Sequence, residues 1–139
     1  MGNKFITFFW GKIDPHGYTF KYVNAGHNPP MLFRAGKEEP ELLDEGGVIL
    51  GAMPTLMPYT SSEVDFKSGD LLVFFTDGVT EAMNPEQTEE YEEHRLIDCI
   101  NKNRDLTSEE IMNAVIDDIN QFSNNIQYDD ITMIVVKAS

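Results

Sequence analysis

The chain has 139 residues, 41% of them apolar, with 24 acids against 10 bases and a formal charge of −14. That is the size of one domain or part of one. Its charge excludes the phosphate backbone of a nucleic acid as partner and is compatible with divalent cations. The single cysteine, Cys99, rules out an internal disulfide and suits a reducing cytoplasm. No apolar run approaches membrane-spanning length and no signal peptide is visible, so neither a membrane nor a secreted setting is expected.

From the amino terminus, FITFFWGKID (Phe5 to Asp14) is rich in β-formers and reads as a strand. Pro15-His16-Gly17 turns, and YTFKYVN follows as a second strand, making a hairpin. Tyr18, Phe20 and Tyr22 fall on one face, and Trp10 is expected in the core. Asn24 to Pro30, NAGHNPP, cannot stay in a ladder because of its glycine and two prolines. MLFR and ELL give short strands around a polar turn. DEGGVILGAMPTLMP reads as a loop held inside by Val48, Ile49 and Leu50. Tyr59 to Phe66 alternates as a strand.

Leu71 to Phe75 is a run of five bulky apolar residues, fitting a strand buried on both faces. It ends at Thr76-Asp77-Gly78. An acid fixed at the mouth of a buried strand can offer hard oxygen ligands to a cation; equally, Asp-Gly is an ordinary turn. Beyond Asn84 the chain becomes acidic and then helical, with Leu96, Ile97 and Ile100 at helical spacing. Thr107 caps a second helix, and Glu110 completes a capping box. Ile111, Ala114, Val115, Ile119 and Phe122 form its apolar face, with Asp118 at the edge. SNNIQYDD is a loop and ITMIVVK the last strand. The chain thus divides into a strand-rich part (4–76), a helical part (86–122) and a final strand (131–137). The order predicts an α+β domain with helices covering one face of an antiparallel sheet.

Asp129 and Asp130 open the last strand, while Asp77 closes an earlier one. If the two strands are antiparallel neighbours, these acids meet at one sheet edge. Close carboxylates repel unless a cation or proton intervenes, or unless water solvates them.

Three blocks in order, YVNAGHNPP, TDGVTEA and YDDIT, resemble the SpoIIE-type branch of the metal-dependent protein serine/threonine phosphatases, relatives of protein phosphatase 2C. The resemblance runs from about Phe5 to Lys137. It implies an antiparallel β-sandwich flanked by helices. It also implies hydrolysis of phosphoserine or phosphothreonine on a protein by a water activated between Mn²⁺ or Mg²⁺ ions, without a covalent intermediate. In this branch the substrates are bacterial regulators such as anti-sigma-factor antagonists.

Carried onto this sequence, Asp77 and Asp129 match metal-binding, catalytic aspartates, and Gly78 matches the glycine of the tight turn beside them. Asp130 is a second choice, orienting water or backbone behind the ligands. His27 occupies a position where distant relatives carry an acid near an additional metal. It either touches metal or phosphate or braces its loop. The family's first strands and helix, with their Gly-Asp and Asp-x-x-Gly-x-Gly blocks, have no counterpart here. The chain therefore resembles the C-terminal two-thirds of the domain, with a partial, weak metal site. Unpartnered sheet edges then invite a homo-oligomer. The competing expectation is a non-catalytic interaction module with a degenerate metal site.

Overall fold

The structure, a computed structural model, describes residues 4–52 and 58–139. The middle of the loop after Leu50 (53–57) therefore lies outside the described residues. Two four-stranded sheets pack face to face, and helices cover the outer side of one of them.

The first sheet is built on a hairpin of β1 (Phe8–Asp14) and β2 (Thr19–Ala25), in register with Trp10 opposite Val23. Asp14 sets its turn by accepting from the His16 and Gly17 amides at 3.0 and 3.1 Å. The second sheet runs in the spatial order β4 (Glu41–Leu42), β3 (Met31–Phe33), β7 (Leu71–Phe75), β8 (Met133–Lys137), all antiparallel. Two short strands complete the first sheet along β2. β6 (Ser62–Asp65) is antiparallel to it, and β5 (Gly46–Gly47) pairs in parallel with Asn24–Ala25.

β7 shows how the layers are joined. Leu72 faces Phe20 and Tyr22 of the first sheet, in a cluster with Leu43 and Phe66. Leu71, Val73 and Phe75 face the helices. The strand is buried on both sides, as its unbroken apolar run implies. Each such side chain contributes about 1.5–3 kcal/mol. α2 (Glu92–Asn103) presents Leu96, Cys99 and Ile100 to this layer, and α3 (Ser108–Phe122) presents Ile111, Val115 and Ile119. α3 starts at the expected capping box. The Glu110 amide donates to Thr107 Oγ1, and the Thr107 amide donates to Glu110 Oε2 at 2.9 Å.

Several expectations need correction. Trp10 is 46% exposed, because it lies on the outward face of an edge strand. Tyr18 is not in the strand with Phe20 and Tyr22. It turns the hairpin with φ 52° and its side chain is exposed. Val48 is also exposed; only Ile49 and Leu50 of that trio are half-buried, Leu50 through a bridge to Ile6. Gly46-Gly47 is a strand rather than loop. A Cβ at Gly46 would lie 1.8 Å from the Asn24 carbonyl oxygen, so only glycine allows the pairing. α2 begins at Glu92, four residues before the apolar periodicity starts at Leu96.

Four carboxyls sit below their ordinary range through local hydrogen bonds. They are Glu41 beside Arg34, Asp14 on its turn amides, Asp65 beside Lys67, and Glu110 on the Thr107 amide. A carboxyl lowered on folding stabilises the fold above its unfolded pKa and loses that contribution as pH falls through the folded value. The urea midpoint is therefore expected to hold from pH 7 to about 5 and to drop below about 4. Glu41→Gln should lower the midpoint at pH 7 and make the acid drop shallower; an unchanged acid limb would remove Glu41 from this account.

Candidate metal centre

The exit of β7 and the entry of β8 are tied together. The Thr76 amide donates to the Thr132 carbonyl at 3.0 Å, and the Thr132 amide donates to Thr76 Oγ1 at 3.1 Å. Both acid turns therefore leave the same end of one sheet. Asp77 opens the single helical turn α1 (Asp77–Thr80), and its carbonyl accepts the Glu81 amide at 2.8 Å.

Gly78 closes the arrangement. A Cβ on it would stand 2.2 Å from the Asp130 carbonyl oxygen and 3.7 Å from Asp129 Cβ. The turn carrying Asp77 thus lies directly on the Asp129–Asp130 backbone, an approach only glycine permits. The other turn is held from its own side. Asp129 Oδ1 accepts the Asp130 amide at 2.7 Å, and Gln127 Nε2 donates to the Asp129 carbonyl at 3.0 Å. Upstream, Asn124 and Asn125 take left-handed conformations (φ 52° and 61°), which end α3 and swing the chain back to the sheet. Asp77, Asp129 and Asp130 are all exposed, whereas Gly78 is buried. Gly78, Glu81 and Asp129 line a small cavity of about 30 Å³.

His27 sits elsewhere on the rim. Asn24, 3% exposed, grips its backbone: Asn24 Oδ1 accepts the His27 amide at 2.8 Å and Nδ2 donates to the His27 carbonyl at 3.0 Å. The His27 ring approaches Thr7, with Nδ1 3.3 Å from Oγ1. Together with Thr76 and Thr132 it lines a groove between the two sheets. Its observed bonds brace the loop. Sequence reasoning missed Asn24 as the clamp and Thr76 as the tie between the strands. Thr76 was readable in principle, since it stands immediately before the acid at a strand exit.

The donor chemistry of two exposed acid turns suits a hard cation, but the number of donors falls short. Among the described residues no group of three or more His, Cys, Asp or Glu side chains is placed to hold a metal ion. Mg²⁺ requires about six oxygen ligands, so water or residues beyond these would have to supply the rest.

The fold is that of PP2C-type phosphatase domains, as superposition on solved structures shows. The SiaA-PP2C domain of Pseudomonas aeruginosa superposes with a TM-score of 0.75 at 19% identity, over 94% of this chain and 50% of that one. The manganese-presoaked phosphatase domain of SpoIIE from Bacillus subtilis gives 0.66 at 20% identity, over 96% and 56%. The chain belongs to the family described as Stage II sporulation protein E (SpoIIE), whose pattern matches residues 1–139. Among curated proteins, it is 32% identical to Protein IcfG of Synechocystis over 95% of its length, and 27% identical to the phosphoserine phosphatase RsbU of Bacillus subtilis over 96%. It spans 20% and 39% of those two relatives.

Proposed function

We propose that these residues form the C-terminal part of a metal-dependent phosphatase domain acting on a phosphorylated protein. Asp77 and Asp129 hold Mn²⁺ or Mg²⁺ in this reading, with Asp130 orienting water or backbone behind them. The observation that supports it most is the seating of Gly78 on Asp129–Asp130, which joins two acid turns far apart in sequence. When bound, the metals would lower the pKa of a water and draw charge off the phosphoryl group. The chain's own part is to fix the carboxylates through the Thr76–Thr132 ties and to present His27 at the neighbouring groove mouth. The remaining ligands come from outside these residues or from water, so the 139-residue chain binds metal weakly. A phosphoserine or phosphothreonine on a bacterial regulator, such as an anti-sigma-factor antagonist, is the substrate class, met in the cytoplasm rather than on a membrane or nucleic acid. The name of RsbU as a phosphoserine phosphatase supports this. The exposed sheet edges also favour a homo-oligomer.

The test is Mn²⁺ binding by titration calorimetry, read beside hydrolysis of an aryl phosphate. Asp77→Asn and Asp129→Asn should each weaken Mn²⁺ at least about tenfold and abolish any hydrolysis. Metal binding indifferent to both substitutions would end the assignment. Binding that is sensitive to both, with no hydrolysis at any metal concentration, favours the second reading, a non-catalytic interaction module. That reading is supported by the absence, among the described residues, of any group of three or more His, Cys, Asp or Glu side chains placed to hold a metal ion.

A further inference from the structure

α2 and α3 are joined by the short turn 104–107 and run antiparallel, so Arg95 near the start of α2 lies over the ring of Phe122 at the end of α3, 4.7 Å from its centroid. A groove of about 510 Å³ runs between them, walled by residues 91–122 alone and by neither sheet. Its floor is the buried Cys99 with the half-buried Ala114 and Phe122, and it is closed at one end by Tyr91, whose hydroxyl donates to Asp118. Cys99 and Ala114 are small, so a third helix can approach to the usual spacing of about 8–10 Å between axes. The rims carry charge in a fixed order. Arg95, Asp98 and Lys102 line the α2 side at helical spacings, so plus, minus and plus follow one another on one face over about 10 Å. Asp117 and Gln121, one turn apart, line the α3 side. Arg95 is held on Phe122, its Nε is buried without a partner, and its ion pair with Glu89 is long, at 3.5 Å. Asp98, Lys102 and Asp117 make no ion pair among the described residues.

We propose that the α2–α3 groove docks an amphipathic helix of a partner protein. That helix presents an acid, a base and an acid to Arg95, Asp98 and Lys102, a base to Asp117, and an aliphatic seam to Cys99, Ala114 and Phe122. The groove follows two helix axes, and the backbone groups along it are already paired within α2 and α3, so it offers no ladder to an extended peptide. Its charges are spread over two turns, so an amino-acid-sized ligand would meet one end only. The alternating rim reads the same in either direction to within one residue. It therefore selects a partner by charge pattern rather than by net charge, which in a chain of −14 would favour any cation.

Docking here needs neither metal nor phosphatase activity, so it is tested on the 139-residue chain in metal-free buffer. The probe is a fluorescently labelled, helix-stabilised peptide with a leucine seam and Glu, Lys and Glu at the rim positions, followed by anisotropy at physiological ionic strength. A control peptide carries Lys, Glu and Lys instead. One helix in one groove is a small interface, so a Kd of about 10–100 μM is expected. The control should bind at least about fivefold more weakly, against the bulk attraction of an acidic chain for it. Lys102→Glu should weaken the first peptide by about the same factor and strengthen the control. Lys12→Glu, which changes the net charge equally but lies on the first sheet, should change neither. Both lysines are exposed, so the fold is not at stake. A control peptide that binds as tightly, no binding of either up to about 1 mM, or indifference to Lys102→Glu would overturn the proposal. So would displacement by free glutamate at about 10 mM, which would make the groove a small-ligand site. A chain dimer dissolved by Lys102→Glu would equally overturn it, by making a second copy the occupant.

Discussion

Asp70→Ala is expected to lower stability by about 3 kcal/mol, measured by urea denaturation at pH 7. Asp70 is 4% exposed and ends the turn that launches β7. Its Oδ1 accepts the Ala35 amide at 2.9 Å. Its Oδ2 accepts the Lys67 amide at 3.0 Å and Arg34 Nη1 at 3.1 Å. Truncation strands two backbone donors at about 1–3 kcal/mol each. Arg34 is not left alone, since Nε and Nη2 still donate to Glu41 at 3.0 Å each. Its side chain is 19% exposed, so water can reach it. The cost should therefore fall below that of stranding a fully buried charge. Asp70→Asn, which keeps acceptor capacity through one oxygen, should cost less than the alanine change. A loss under about 1 kcal/mol for Asp70→Ala would mean that solvent replaces these bonds freely.

How much of this was legible follows from which signals are local. The β7 run, the capping box at Thr107 and the apolar stripe of α3 are set by residues a few positions apart, and they were read correctly. The β7–β8 pairing is long-range, but each strand carried its own apolar signature. Neighbouring antiparallel strands then place Asp77 and Asp129–Asp130 at one end. The misreadings concern what lies across from a residue. Trp10 looks like core by composition, but no layer among the described residues covers the outer face of β1. Gly46-Gly47 looks like loop, but its missing side chains let Asn24 approach. The grip of Asn24 on His27 joins residues three apart, yet it depends on a left-handed Gly26 (φ 71°) between them, which the pattern NAGH permits but does not demand.

Gly78→Ala is the sharpest test of the acid turns as a unit. The added methyl would meet the Asp130 carbonyl oxygen at 2.2 Å, and that obstacle is backbone rather than the flexible end of a side chain. The φ of Gly78 is not left-handed, so the penalty is the collision and not the conformation. Relief requires the Asp77 turn and the Asp129–Asp130 turn to move apart. The Thr76–Thr132 hydrogen bonds, one residue from each turn's strand, oppose that movement. Overpacking a fixed site costs about 1–3 kcal/mol, and a backbone obstacle puts this case at the upper end. The informative comparison is with Gly36→Ala. Gly36 has open space around its missing Cβ but φ 74°, so it isolates conformational strain from collision. Gly78→Ala should be the more destabilising of the two and should also weaken Mn²⁺, whereas Gly36→Ala should leave metal affinity alone. If the two variants prove equally stable and bind Mn²⁺ alike, the two acid turns do not bear on one another, and the proposed metal site loses its structural basis.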